Sequence, residues 1–152
     1  MVASFRGRLE SKIDQKGRFV LPQSWRTLCD GQFILANAVY QKRPYLDFFT
    51  ETEWSKLESR FNDLPSLRPE VQAFLRFYVS SATKISSDSN GRILVPPTLR
   101  GYAKLEDSLV MVGMGNKIEI WSQAEWSIVH EELVKGFEQN AGNIAGFFAE
   151  VS

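Results

Sequence analysis

The sequence predicts an α+β protein, a β-rich body made of two copies of one strand–turn–strand–helix unit with helices at its periphery. Three observations point there. A thirteen-residue block beginning at Asp14 recurs 74 positions downstream at Asp88, and internal similarity at a fixed offset marks a duplicated unit. The residues leading into the first block alternate apolar and charged with period two. Two capping boxes, each followed by tryptophan, open amphipathic helices at matching places in the two copies. A chain of 152 residues has room for one domain, or for two small halves sharing a core.

In order, Phe5, Gly7, Leu9, Ser11 and Ile13 alternate with Arg6, Arg8, Glu10, Lys12 and Asp14, the pattern of a half-buried strand with one charged face. Asp14-Gln15-Lys16-Gly17 is a tight turn, because aspartate bonds its own downstream backbone and glycine tolerates positive φ. Phe19–Leu21 returns as a strand. Pro22 ends it and suits the first turn of a short helix that carries Trp25 and Leu28 inward. Strands follow at Phe33–Ala36 and Tyr45–Phe49. Thr50-x-x-Glu53 then caps a helix with Trp54, Leu57, Phe61 and Leu64 on its apolar face. A further helix, from about Pro69 to Ser81, turns Val71, Phe74, Leu75 and Tyr78 to one side.

The second copy restates the first. Asp14, Gly17, Arg18, Pro22 and Arg26 fall on Asp88, Gly91, Arg92, Pro96 and Arg100. Val110–Val112 and Lys117–Trp121 are the counterpart strands, joined by a hairpin turn at Gly113-x-Gly115-Asn116. Ser122-x-x-Glu125 caps the last helix, with Trp126, Val129, Leu133 and Phe137 on its apolar side. The expected organisation is a first repeat at 1–64, a connecting helix at 65–81 and a second repeat with its C-terminal helix at 82–152. Lacking a low-complexity linker, the parts should pack as one body. The final segment mixes small residues with Ile144, Phe147, Phe148 and Val151. Docking on its own body, docking on a neighbouring subunit and fraying all remain open for it.

Composition narrows the function. One cysteine and one histidine exclude an internal disulfide and the usual zinc sites. His130 reads as a helix-surface residue, Cys29 as a small half-buried filler, and the four tryptophans as core. No nucleophile, acid–base pair or nucleotide loop emerges; the Gly113–Gly115 segment lacks the lysine and serine or threonine of a phosphate-binding loop. The chain is therefore expected to be no enzyme, without cofactor, metal or small-molecule substrate. No apolar run approaches a membrane span, so a soluble cytoplasmic protein is expected.

Net charge is zero, but the charge is segregated. Residues 1–26 carry six basic side chains against two acidic ones, and residues 84–104 four against one. Residues 123–152 carry five glutamates against Lys135. If the two repeated blocks lie side by side, a basic surface suited to phosphate is backed by an acidic one. The same aspartates and arginines also have a plainer reading, in which Arg18 pairs with Asp14, and Arg92 with Asp88, to brace a turn. A braced arginine is a preorganised one, so the two readings are compatible.

The repeated Asp-x-x-x-Arg, strand, proline pattern resembles the MraZ family, bacterial regulators encoded with division and cell-wall genes. Phe5–Arg8 (FRGR), Arg76–Ala82 (RFYVSSA) and Val112–Trp121 (VGMGNKIEIW) resemble family segments as well, and the likeness runs in order to about Trp126. It implies tandem AbrB-like (swapped-hairpin) β-barrel halves related by pseudo-twofold symmetry, with peripheral helices. It also implies a ring-shaped homo-oligomer, nucleoid-associated, that binds short direct repeats in double-stranded DNA upstream of a division and cell-wall operon and represses its own promoter. Transferred by position, DNA contacts fall on Lys16, Arg18 and Arg92, with Lys12 and Lys84 as lesser candidates. Asp14, Gly17, Asp88 and Gly91 support the motif. This chain departs from the pattern at Asn90, where the first copy has Lys16. The competing reading is a ring-forming scaffold for protein partners that does not recognise DNA specifically.

Overall fold

The alternating run near the N-terminus is the first place where tertiary geometry modifies local pattern. In the computed structural model, which describes residues 4–151 and the side chains of 4–150, β1 spans only Arg8–Lys12. Gly7 adopts φ +102° and interrupts the run, while Phe5 forms a separate bridge to Gly115. The chain crosses so close to Gly113 that a Cβ there would lie 2.7 Å from the Arg6 backbone. The predicted single strand of residues 5–14 is thus corrected to a bridge, a kink and a short edge strand. Phe5 and Ile13 are buried but Leu9 is exposed. Residues 1–3 of the expected first repeat, residue 152 of the second and the Val151 side chain lie outside the described residues.

The remaining elements are β2 (Arg18–Val20), α1 (Gln23–Arg26), β3 (Gln32–Tyr40), β4 (Arg43–Thr50), α2 (Glu51–Phe61), α3 (Pro69–Phe77), β5 (Thr83–Ser86), β6 (Arg92–Leu94), α4 (Pro97–Tyr102), β7 (Ser108–Gly113), β8 (Ile118–Ser122) and α5 (Gln123–Val151). Helix α2 stops at Phe61, short of Leu64. The connecting helix ends at Phe77, and a single tight helical turn covers Val79–Ser81. Both helices are capped by the predicted hydroxyls, Thr50 Oγ1 accepting from Glu53 N (3.2 Å) and Ser122 Oγ from Glu125 N (3.1 Å). The glutamate carboxylates pair with Lys56 and with Arg43 and Lys104 instead of closing the boxes. The β3–β4 hairpin turns on Gln41 and Lys42, both at positive φ.

Six antiparallel strands make one sheet in the order β1-β7-β8-β4-β3-β5, and β2 pairs with β6 in a separate two-stranded ribbon. The repeats exchange strands: β1 of the first pairs with β7 of the second, and β5 of the second with β3 of the first. Where like meets like, the register is self-symmetric. In the ribbon Phe19 faces Ile93, which is its own counterpart in the repeat. At the sheet centre Asp47 faces Glu119, again equivalent positions. Both acids are buried. Lys117 Nζ lies between them (2.7 and 3.4 Å), and the Tyr78 hydroxyl donates to Asp47 (2.7 Å).

Apolar side chains fill both faces of the sheet. One core joins it to the ribbon, α1 and α4 through Phe19, Ile93, Leu21, Val95, Trp25 and Leu99. The other joins it to α2, α3 and α5 through Trp54, Tyr78, Trp121 and Val129. The molecule is three layers deep, with the ribbon on one side and the long helices on the other.

Candidate nucleic-acid interface

Each turn that leads into the ribbon is built by its own aspartate. Asp14 Oδ1 accepts from the backbone N–H groups of Lys16 and Arg18, both at 2.9 Å, and Oδ2 accepts from Arg18 Nε at 2.9 Å. Asp88 does the same with Asn90 N (2.9 Å), Arg92 N (2.9 Å) and Arg92 Nε (2.7 Å). The Arg18 backbone N–H, with help from its side chain, holds the Asp14 carboxyl below its ordinary range. Arg92 acts likewise on Asp88. Gly17 and Gly91 close the turns at φ +87° and +77°, where a side chain would be strained.

Strand alternation decides where the arginines go. Phe19 and Ile93 point into the core, so their neighbours point out: Arg18 sits opposite Leu94, and Val20 opposite Arg92. The outer face of the ribbon therefore carries two arginines on a diagonal, with exposed Val20 and Leu94 on the other diagonal. Diagonal partners on an antiparallel pair lie about 7–8 Å apart. With Nε held by aspartate, each guanidinium keeps its two terminal nitrogens for an outside acceptor. Among the described residues neither end has a second ion-pair partner, and Lys16 Nζ has none at all.

The other predicted residues are placed differently. Lys12 lies on β1 and donates to Ser108 Oγ (3.2 Å), while Lys84 lies on β5 and pairs with Glu51 (3.2 Å). These strands are the two opposite edges of the sheet, so neither lysine joins the ribbon.

Two residues that the sequence marked only as matching positions of the repeat, with no site role, prove to lie at the site. Arg100 reaches across to the first turn, where Nη1 donates to Gln15 O (3.0 Å) and Nη2 to Asp14 O (3.3 Å), with Nε on Leu105 O (3.1 Å). Its counterpart Arg26 lies on Gly91 of the second turn, but its buried Nε has no hydrogen-bond partner among the described residues. Each repeat thus lays an arginine over the turn of the other, and the second braces the first by hydrogen bonds. The signal was their shared place in the repeated block. Nothing local revealed that they cross between halves.

The residues set aside stay out of the site. Cys29 Sγ donates to Trp25 O (3.2 Å), and burial pushes its pKa up to about 11, the reverse of an activated thiol. His130 packs beside Trp126, 5.8 Å between rings. Trp25, Trp54 and Trp121 are buried. Among the described residues no helix is long and apolar enough to cross a membrane.

Comparison with known proteins agrees with the duplicated pattern. Residues 4–77 and 79–146 match in turn the family described as "MraZ protein, putative antitoxin-like". The chain is 37% identical over 140 residues to the transcriptional regulator MraZ of Desulforamulus reducens, spanning 92% of this chain and 96% of that one. It is 32% identical over 143 residues to the transcriptional regulator MraZ of Lactiplantibacillus plantarum, spanning 94% and 99%. The solution structure of PHS018 from Pyrococcus horikoshii is similar at 10% identity with a TM-score of 0.36, over 78% of this chain and 89% of that one, too distant a likeness to bear on the fold.

Proposed function

The chain belongs to the MraZ family, and from that premise we propose that it is a sequence-specific DNA-binding transcriptional regulator, with the β2–β6 ribbon as its reading surface. The observation that carries the proposal is the ribbon register, which sets Arg18 and Arg92 on one exposed face. A two-stranded ribbon fits the major groove, where arginine bonds bidentately to guanine O6 and N7. Lys16, a mobile point charge at the tip of the first turn, suits a phosphate, which positions the protein without specifying sequence. Asp14 and Asp88 orient rather than contact, since a carboxylate facing phosphate is repelled. Lys12 and Lys84 remain peripheral phosphate contacts in this reading.

The wider proposal follows the family. The two halves are AbrB-like swapped hairpins, divided as 1–64 and 82–152 about a connecting segment, and the exchange of β1 and β5 between repeats supports that description. The DNA is a set of short direct repeats upstream of a division and cell-wall operon that includes the protein's own promoter, which it represses. The protein acts in the cytoplasm at the nucleoid, without catalysis. A neutral chain with one ribbon binds weakly. A ring offers several ribbons to repeated sites, and linkage of that kind raises affinity by about 10²–10⁴-fold.

Fluorescence anisotropy with promoter repeats and with scrambled duplex, across a salt series, tests the reading. The expected result is a clear preference for the repeats and a steep salt dependence, about 0.9 log units per log of salt for each phosphate neutralised. Feeble binding that ignores sequence would instead mark the scaffold.

A further inference from the structure

The two repeats cover their long helices unequally. In the first, α2 ends at Phe61 and α3 folds back beside it, so that Phe74 meets Phe61 at 5.3 Å and Tyr78 at 5.4 Å between ring centroids. In the second, the helix from the equivalent capping box runs on to Val151, and no counterpart of α3 follows it among the described residues. Trp126, Val129 and Leu133 seat its first turns on the core. Beyond them the stripe continues as Val134, Phe137, Ile144 and Phe147, which are 62, 67, 48 and 57% exposed. At about 100° per residue these positions prolong the docked face of the helix. Among the described residues this apolar surface has no cover, and such surfaces mark interaction sites.

A matching surface lies on the first repeat. Leu57, Phe61, Val71 and Phe74 line an open cleft of about 390 Å³ between α2 and α3, together with Arg60 and Glu70. Phe74 and Leu64 remain partly exposed there. Because α5 is one unbroken helix, its distal half does not fold back onto its own α2–α3 pair.

We propose that residues 134–147 of α5 dock in the α2–α3 cleft of a second copy of this chain, a head-to-tail contact that repeats from subunit to subunit. The proposal rests on the homo-oligomeric reading above and names the surfaces that close the assembly. Three further observations favour a second copy as occupant. The first repeat already packs an equivalent helix, α2, against α3. Charge is complementary: residues 131–150 carry four glutamates against Lys135, whereas residues 60–76 carry Arg60, Arg68 and Arg76 against Asp63 and Glu70. The four apolar side chains of the stripe offer roughly 400 Å², counting about 200 Å² for a whole phenylalanine. That is about the apolar half of the ~800 Å² each partner gives a standard interface. A contact between two different patches leaves each copy with one of each unused, and closes into a ring when the rotation permits. Both patches lie on the layer opposite the arginine ribbon, so every ribbon in the assembly stays uncovered.

The test uses the full chain carrying Cys29→Ala together with Phe74→Cys and Ile144→Cys, oxidised and run on a non-reducing gel. The expected result is a ladder of covalent multimers, absent from either single cysteine variant. Dimers formed as readily by Ile144→Cys alone would show tails pairing with each other and overturn the proposal, as would the absence of a ladder. Phe137→Glu, at an exposed position that folding does not need, should lower the mass seen by light scattering while circular dichroism is unchanged. An unaltered mass would also overturn it. Promoter binding by the same preparations separates the two readings. A ladder without sequence preference retains the docking and removes the DNA reading, whereas sequence preference without a ladder does the opposite.

Discussion

The two turns share one hydrogen-bond scheme and differ in what lies over them. The first carries Lys16 and is clamped by Arg100, whose three side-chain nitrogens each donate to a carbonyl oxygen at 3.0–3.3 Å. The second carries Asn90 and is covered by Arg26, whose buried Nε finds no hydrogen-bond partner among the described residues. Duplication kept the aspartate–arginine geometry in both and let the brace and the tip residue diverge. The lesson is that the arginine's orientation and the turn's rigidity have separate sources. Orientation comes from within the turn, rigidity from the other repeat.

The largest expected effect is on DNA. Replacing both arginines (Arg18→Ala with Arg92→Ala) should abolish preference for promoter repeats in anisotropy, with the circular dichroism spectrum intact. Singly, each should cost about 5- to 150-fold, from a bidentate guanine contact of roughly 1–3 kcal/mol. Arg18→Ala should cost more, because its turn is the better clamped; equal losses would break the comparison.

Next comes the brace. Arg100→Ala removes bonds to two carbonyls of the first turn and one at Leu105, and should lower stability by about 1–3 kcal/mol in urea melts. Arg26→Ala should cost less, since its Nε gives up no bond. The glycines sharpen the same contrast. Gly17→Ala and Gly91→Ala each incur about 1–2 kcal/mol for a side chain at positive φ. At Gly17 the new methyl also meets Val95 O and the engaged Arg100 at 3.2 Å. At Gly91 its nearest neighbours are Arg26 Cδ, Nε and Cζ, closer at 2.7 Å, but they belong to a flexible side chain that gives up no Nε hydrogen bond on shifting. Gly17→Ala should therefore be the more destabilising.

A smaller effect follows from Asn90→Lys, which gives the second turn the first turn's charge. Affinity should rise and the salt slope steepen by about 0.9 for one added phosphate contact. The smallest effect is pH dependence. Both aspartates have carboxyl pKa values held below the ordinary 3.8, first by the backbone N–H of Arg18 or Arg92. Their contribution to stability is thus fully present above about pH 4 and disappears as pH falls through the depressed values. Carboxyl NMR titration should find both below the ordinary value and close to each other.

Much of this was legible because the informative features are local or repeated. The hydroxyl caps at Thr50 and Ser122, the proline stops and the Asp-to-Gly turns depend on near neighbours and formed as read. The placement of Phe19 and Ile93 follows from alternation once each flank is known to be a strand. What sequence could not supply was partnership. That β1 joins β7 and β5 joins β3, or that Arg100 reaches Gln15, depends on contacts between residues some 50 to 100 positions apart. The β3–β4 turn at Gln41-Lys42 was silent because neither residue is a usual positive-φ former. The sequence leaves the end of the last helix open, and α5 runs on through Gly136, Gly142 and Gly146. The helix accepts them at a cost of about 1 kcal/mol each.

The central claim is that the outer face of the ribbon lies in a DNA groove, and a photo-reactive probe at its centre tests this most directly. In a Cys29→Ala background, Val20→Cys or Leu94→Cys would carry the probe, with Leu67→Cys, on the helical layer and 89% exposed, as control. The account predicts crosslinks to bases of the promoter repeat from both ribbon positions and none from the control. Crosslinks from Leu67 with silence at Val20 and Leu94 would contradict it.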